Sequence, residues 1–228
     1  WSTFVRKAPR PPADHIELGE VFRVHRGQVT GCNRVWIAGP HAPQIPPRFR
    51  YASITRAKEL FAAGSALTSS ACLRQVIDLP ADLEDPMQIK KEERNAVREF
   101  LRWAKAAGAQ DGYIAAHRRP WWSVKLRSPA PILCTYMARR PPAFVRNIAC
   151  ARHVNIAHGL YPRERLVDAV MAAVIEWLRA NVALEAGRIY AGGLTKFEPG
   201  EIERICMPSL DVIQDQVGNG QGWRSDCS

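Results

Sequence analysis

Two windows of this 228-residue sequence hold the side chains that could do chemistry. From Val21 to Lys58 there is no Asp or Glu, yet there are seven Lys or Arg. From Gly112 to Arg163 there is again no acid, with nine Lys or Arg and three His. All 22 acids lie outside these windows, although an average acid content of roughly a tenth would place about nine inside them. Solvated surfaces ordinarily mix both signs of charge. A groove for a polyanion therefore accounts for the segregation better than a solvated basic face does. The net charge of +10 and the pI near 9.7 agree in sign but do not name the partner.

The donor types fit nucleic acid. Reading base edges takes Arg, Lys, Asn or Gln held rigidly, with further donors on the phosphates. The first window offers Arg23, His25, Arg26, Gln28, Thr30 and Asn33 around one turn, where Gly27 and Gly31 would let the backbone approach a phosphate. A plain hairpin with a basic outer side would show the same residues. The second window gives Arg118, Arg119, Trp121 and Trp122, then Lys125 and Arg127 on an expected strand. At least one of the two tryptophans is expected in the core, as large aromatics usually are. Arg139, Arg140, Arg146, Asn147, Arg152, His153 and Asn155 complete the supply of planar donors.

Catalytic patterns are missing from the residues. The only G-x-G pattern lies in the tail at 218–222, far from any strand-to-helix turn that could cradle a nucleotide. No Pro-Pro pair follows Asn or Asp, the form that grips a target amine. No acid has Lys two residues later, as a common metal-dependent nuclease requires. Walker, HExxH and GxSxG patterns are absent. Cys150, His153 and His158 stand at spacings no common zinc knuckle uses, so no metal is assigned. The six cysteines form no CxxC pair, which suits reduced thiols in a cytoplasm. No apolar run approaches the roughly 18 residues of a membrane helix, so no membrane partner is expected. The first residue is Trp1 rather than Met, which suggests a piece of a longer polypeptide.

The periodicities predict an α+β domain of short mixed strands with two or three main helices. Residues 1–17 read as a linker, 18–212 as the domain and 213–228 as a flexible tail. Runs 21–24 and 34–37 read as two strands about a glycine-bearing turn. Pro40, Pro43, Pro46 and Pro47 force a loop, which could serve as a wedge in an opened base stack. Asp85-Pro86 reads as the start of a helix running to Gly108, and 163–186 as the longest helix, ended by Gly187. Residues 112–144 break into short β-type runs bounded by proline. In "YAGGLTKFEPGEIERICMPS" (190–209), Gly192 and Gly193 would bring a strand close to DNA or a neighbour, and Lys196 would meet phosphate. Ile202, Ile205 and Met207 would pin that segment to the core. A helix exit with a solvated lysine is the alternative.

Four stretches in this order, "RVHRGQVTGCNRVWI", "HRRPWWSV", "ARHVNIAHGLYPR" and "RIYAGGLTKFEPGEIERICMPS", carry a resemblance. They look like the C-terminal specificity region of gamma-class adenine DNA methyltransferases, the TaqI-like enzymes of bacterial restriction–modification systems. The Thr-Gly-x-Asn turn and the Gly-Gly-Leu-x-Lys-x-x-Pro stretch are the most specific parts. The resemblance implies sequence-specific binding of duplex DNA in the bacterial cytoplasm. It also implies a partner N-terminal methyltransferase domain that holds S-adenosylmethionine and methylates adenine N6. That catalytic half, with its cofactor, is missing from these residues, so no activity is expected of them alone. The residues implied on DNA are Arg23, Arg26, Gln28, Thr30, Asn33, Arg118, Arg119, Trp122, Lys125, Arg139, Arg140, Arg146, Arg152, His153, Asn155 and Lys196. A general DNA- or RNA-binding accessory module remains the alternative.

Overall fold

The computed structural model describes residues 12–190 and 194–219. In chain order it runs β1 (His15–Glu17), α1 (Leu18–Val21), β2 (Phe22–Arg26), α2 (Asn33–Trp36), β3 (Arg50–Ile54), α3 (Ala57–Ala63), β4 (Ala66–Leu67) and β5 (Arg74–Ile77). It continues through α4 (Lys91–Ala106), α5 (Tyr113–Ala116), β6 (Ile132–Thr135), β7 (Met137–Ala138), β8 (Phe144–Asn147), β9 (Arg152–His153) and β10 (Ala157–Pro162). The chain closes with α6 (Asp168–Asn181), β11 (Arg188–Tyr190), β12 (Leu194–Lys196), α7 (Pro199–Glu203), β13 (Cys206–Pro208) and α8 (Leu210–Gly218). The mixed α+β class follows from many short strands covered by three longer helices.

The centre is a five-stranded sheet of order β2-β10-β6-β8-β4. Its inner strands are mainly apolar on both faces, so the period-2 alternation of side chains sorts them between two cores, whereas the edge strand β2 turns Arg23 and His25 to one side. Phe22, Val24, Ile132, Cys134, Phe144 and Leu160 turn toward α6, where Val170, Val174 and Leu178 meet them. Leu133, Val145 and Ala157 turn the other way, toward Leu60 of α3 and Ile54 of β3. A second sheet, β5-β3-β9, shares a third core with α4 through Val76, Ile77, Val97, Phe100 and Leu101. Strand β9 is two residues long and runs parallel to β3 just before β10, so it joins the two halves.

Several local expectations need correction. Residues 34–37 do not form a strand: Val35 and Trp36 are both buried, and the amides of Val35 and Trp36 bond the carbonyl of Cys32 in one helical turn. The segment expected as a linker ends in β1, which pairs with β13, and the expected tail begins inside α8. The helix expected from Asp85 starts at Lys91, because the Asp85 carboxylate closes a turn of its own by accepting from Met87 N at 2.9 Å. The expected 163–186 helix is shorter: Tyr161 and Pro162 still pair with β2, and Arg163 N donates to Val21 O at 2.8 Å. The 112–131 segment holds the turn α5 and irregular chain, and strands begin only at Ile132.

Candidate nucleic-acid interface

The edge strand β2 is the spine of the first basic window. Val24 N donates to the Glu203 carboxylate of α7 at 2.8 Å, which occupies that free strand edge. Arg23 and His25 stand on the face opposite α6, across from Tyr161 and Gly159 of β10. The rings of His25 and Tyr161 lie 5.6 Å apart, and the Tyr161 hydroxyl donates to Ser128 O at 2.8 Å. Burial, then Arg127 and Arg23, hold the His25 pKa below its ordinary value, with Glu203 opposing. His25 is therefore mainly neutral near pH 7 and offers a hydrogen bond rather than a charge.

The loop at 123–128 presents the second set. Val124 and Leu126 are buried, which leaves Lys125 and Arg127 exposed on either side of Leu126. Lys125 is not on a strand as expected; its φ is +56°, in the left-handed region. Asp78 stabilises that conformation by accepting from Lys125 N at 2.8 Å and Leu126 N at 2.7 Å. From the other side Arg152 donates to Leu126 O at 2.9 Å and Arg127 O at 3.1 Å, with its guanidinium 4.1 Å from the Tyr51 ring centroid. Burial raises the Asp78 pKa, while the two amides, Arg152 and Arg118 pull it down. Arg152 is thus a support for the loop, its Nη1 shared between two of the loop's carbonyls.

Arg118 is a support as well. It donates to Val29 O at 2.5 Å and Thr30 O at 3.3 Å, tying the chain after α5 to the loop after β2. Burial lowers its pKa, with Asp78 opposing. The Thr30 hydroxyl is buried and donates to Asn33 Oδ1 at 2.5 Å, closing a turn in which Gly31 has φ +84°. Only glycine adopts that φ without strain. The expected base reading by Arg118 is therefore replaced by a structural role. Arg118→Ala should cost about 1–3 kcal/mol of stability by orphaning two carbonyls. Arg119→Ala should leave thermal unfolding near wild type, since Arg119 is exposed and bonds only the adjacent carbonyls of Ala116 and Arg118. Equal melting of the two variants would remove the distinction.

The remaining expected residues divide by exposure. Arg23, Arg26, Asn33, Arg119, Lys125, Arg139 and Arg140 are exposed, and Arg127 joins them. Arg26 and Lys196 lie over the Tyr136 ring, 4.5 Å and 5.2 Å from its centroid, and Arg140 lies 3.5 Å from that of Phe61. Lys196 also pairs with Glu198 at 2.5 Å, so it meets a carboxylate of its own chain. Arg146 pairs with Asp168 at 2.7 Å on the α6 side of the sheet, away from Arg23 and His25. Gln28 and Asn155 are half-buried and joined through Asn155 N and Gln28 O at 3.1 Å. Trp122 is half-buried, its indole donating to Pro80 O at 3.0 Å, and Trp121 packs against Trp36. Both tryptophans border the core.

His153 cannot touch DNA where it stands. It is 1 % exposed, beneath Gly27 and Gly159, with the His25 backbone as the polar group that its ring meets. Burial pushes its pKa down to about 4, so the ring is neutral at pH 7. Asn147 is also internal, bonding Ala130 O, Ala151 O and Ala151 N. Gly192 and Gly193 lie outside the described residues. The segment after them is anchored by buried Ile202 and Met207, with Ile205 packed alongside. The proline loop 40–47 buries Ala42 and Ile45 in the core shared with α4, which leaves less of it free to act as a wedge than its composition suggests. Sequence reasoning missed Asp78 and Tyr136. Each is joined to its basic neighbours only through distant chain segments, and no local spacing signals either.

Among the described residues no group of three or more His, Cys, Asp and Glu could hold a metal ion, and no helix is long and apolar enough to cross a membrane. What remains is a set of exposed cations on β2, on the 123–128 loop and just after β7, with half-buried Asp78, Arg118 and Arg152 as supports. Residues 11–221 match the family described as Type II methyltransferase M.Eco57I, C-terminal domain. Over 213 residues the chain is 58% identical to Type II methyltransferase M.XamI of Xanthomonas campestris pv. amaranthicola, covering 93% of this chain and 40% of that protein. Over 112 residues it is 27% identical to Type II methyltransferase M.AccI of Acinetobacter calcoaceticus, covering 47% and 21%. The chain thus spans well under half the length of these relatives. The crystal structure of the type IIG restriction endonuclease BpuSI shares the fold with a TM-score of 0.56 at 12% identity, over 91% of this chain and 26% of that one.

Proposed function

The chain belongs to the family of the Type II methyltransferase M.Eco57I C-terminal domain, and from that premise we propose that it reads sequence in duplex DNA for an adenine-N6 methyltransferase of a restriction–modification system. The observation that carries the reading is the segregation of exposed cations from acids. Exposed Arg23, Arg26, Lys125 and Arg127 lie within two acid-free windows; pairing with β10 holds the backbone of the first two, and half-buried Asp78 and Arg152 hold that of the other two. Phosphate contacts from the arginines and lysines would set the register of the duplex. Asn33, Gln28 and Arg119 offer the planar or bidentate donors that distinguish base edges in a major groove.

The methyl donor, S-adenosylmethionine, would be held by an N-terminal catalytic half and not by these residues. Gly31 does lead from a strand toward the helical turn α2, but no carboxylate between Val21 and Lys58 could take the ribose hydroxyls. The donor does not fit there. The chain's part in catalysis is to select the site and hold the distorted duplex while the catalytic half acts on an extruded adenine. Such an enzyme would work in the bacterial cytoplasm, where its DNA is.

Selection of bound duplexes from a random pool tests the reading. One enriched short motif is expected, and the same motif should be methylated at adenine when the chain is joined to its catalytic half. A flat selection would favour a general DNA- or RNA-binding accessory module. Methyl transfer by residues 1–228 alone would overturn the division of labour.

A further inference from the structure

The turn α5 (Tyr113–Ala116) leaves a large aromatic side chain in water. Tyr113 is 74% exposed, and the protein covers one side of its ring with His117, at a centroid distance of 4.1 Å and 35° between planes. His117 Nδ1 donates to Tyr113 O at 2.8 Å, which fixes the imidazole beneath the phenol. The pair is mounted rigidly. Ala115 is buried, Ile114 packs against Gly31, and Arg118 ties the following residues to the loop at Val29 and Thr30. Exposed Arg119 donates to Ala116 O at the end of α5, exposed Asn33 belongs to the Gly31 turn that Ile114 meets, and the Asp111 carboxylate lies back over Gly108 beside Arg34. A phenol preset on an imidazole, beside planar donors and cations, offers its open face to another flat π-system.

Resting on the reading of the chain as a duplex-DNA binder, we infer that Tyr113 stacks on a nucleobase at an opened step of the duplex, with His117 as its backing. Bases in a closed duplex offer their π-faces only to one another, so the contact needs a step that is unstacked or kinked. A side chain that is already exposed and oriented loses little freedom on stacking. Neighbouring cations on phosphate would hold the opened step against it. The assignment moves the stacking element from the proline loop, two of whose side chains are core, to α5.

Two duplexes of the same mixed sequence test it, one intact and one with a single abasic site, where the unstacking is already supplied. The wild-type chain should bind the abasic duplex about 10-fold more tightly, within the range that base–aromatic stacking supports. Tyr113→Ala should abolish that preference with unchanged thermal unfolding, because the side chain is exposed, and should weaken intact-duplex binding no more than about 3-fold. Tyr113→Phe should keep the preference. A Tyr113→Ala chain that retains it, or a wild type that binds both duplexes equally, would overturn this inference and leave the DNA reading standing. Failure of the wild type to bind either duplex would overturn both.

Discussion

Gly27→Ala is expected to destabilise the fold by at least about 3 kcal/mol, as large a loss as a single methyl group can cause. A Cβ built at Gly27 would lie 2.2 Å from Val154 O, 2.4 Å from Val154 C and 2.7 Å from His153 Cδ2. Two of these are backbone atoms, held in place because Val154 N bonds Ile54 O at 3.1 Å and Gln28 bridges to Val154. They cannot swing aside as the end of a flexible side chain would. Relief requires the end of β2 to move off β9, breaking the Gly27 N to Ala157 O bond and uncovering the buried His153 ring. For a domain of this size the melting temperature should fall by about 6–12 °C. Gly200→Ala is the control. That glycine lies in α7, and the nearest atom to its added Cβ is Arg204 Nη1 at 4.0 Å, so the change should be neutral or slightly stabilising. Circular dichroism melts of the two variants decide the matter; a Gly27→Ala chain melting within about 2 °C of wild type would show that the close approach is not rigid.

The second large effect is on DNA affinity. Exposed Arg23, Arg26, Arg119, Lys125, Arg127, Arg139 and Arg140 are drawn from windows without acids. If about five of them neutralise phosphates, the slope of log affinity against log salt should be near −4 to −5. Between 50 and 200 mM salt that amounts to roughly a 500-fold loss of affinity, measurable by fluorescence anisotropy on a labelled duplex. Lys125→Gln and Arg127→Gln should each make the slope less steep by about one. Their backbone supports, Asp78 and Arg152, would remain in place. Lys196→Gln should change the slope less, because Lys196 already faces Glu198 and Tyr136. A slope shallower than about −2 would remove these cations from the account of binding.

The charge segregation, the α+β class and the apolar stripe of α4 were legible in the order of residues. Each is carried by composition or by a helical repeat, as with Val97, Leu101 and Ala104. The resemblance on the Thr30–Asn33 turn and the 188–209 stretch was equally local, and the family match agrees with it. Tertiary structure alone decided which basic residues reach solvent. Arg118 and Arg152 read in the sequence like Arg119 and Arg127, but two of the four spend their donors on carbonyls of distant segments, 88 and 89 residues away for Arg118. His153 reads as a polar group in a basic window, and it lies under β2 only because Gly27 and Gly159 make room. Val35-Trp36-Ile37 carries the branched and aromatic residues of a strand, yet becomes a helical turn because one core takes both Val35 and Trp36. Residue type sets what a side chain can bond. Long-range packing decides whether those bonds are spent inside the protein or left for a partner.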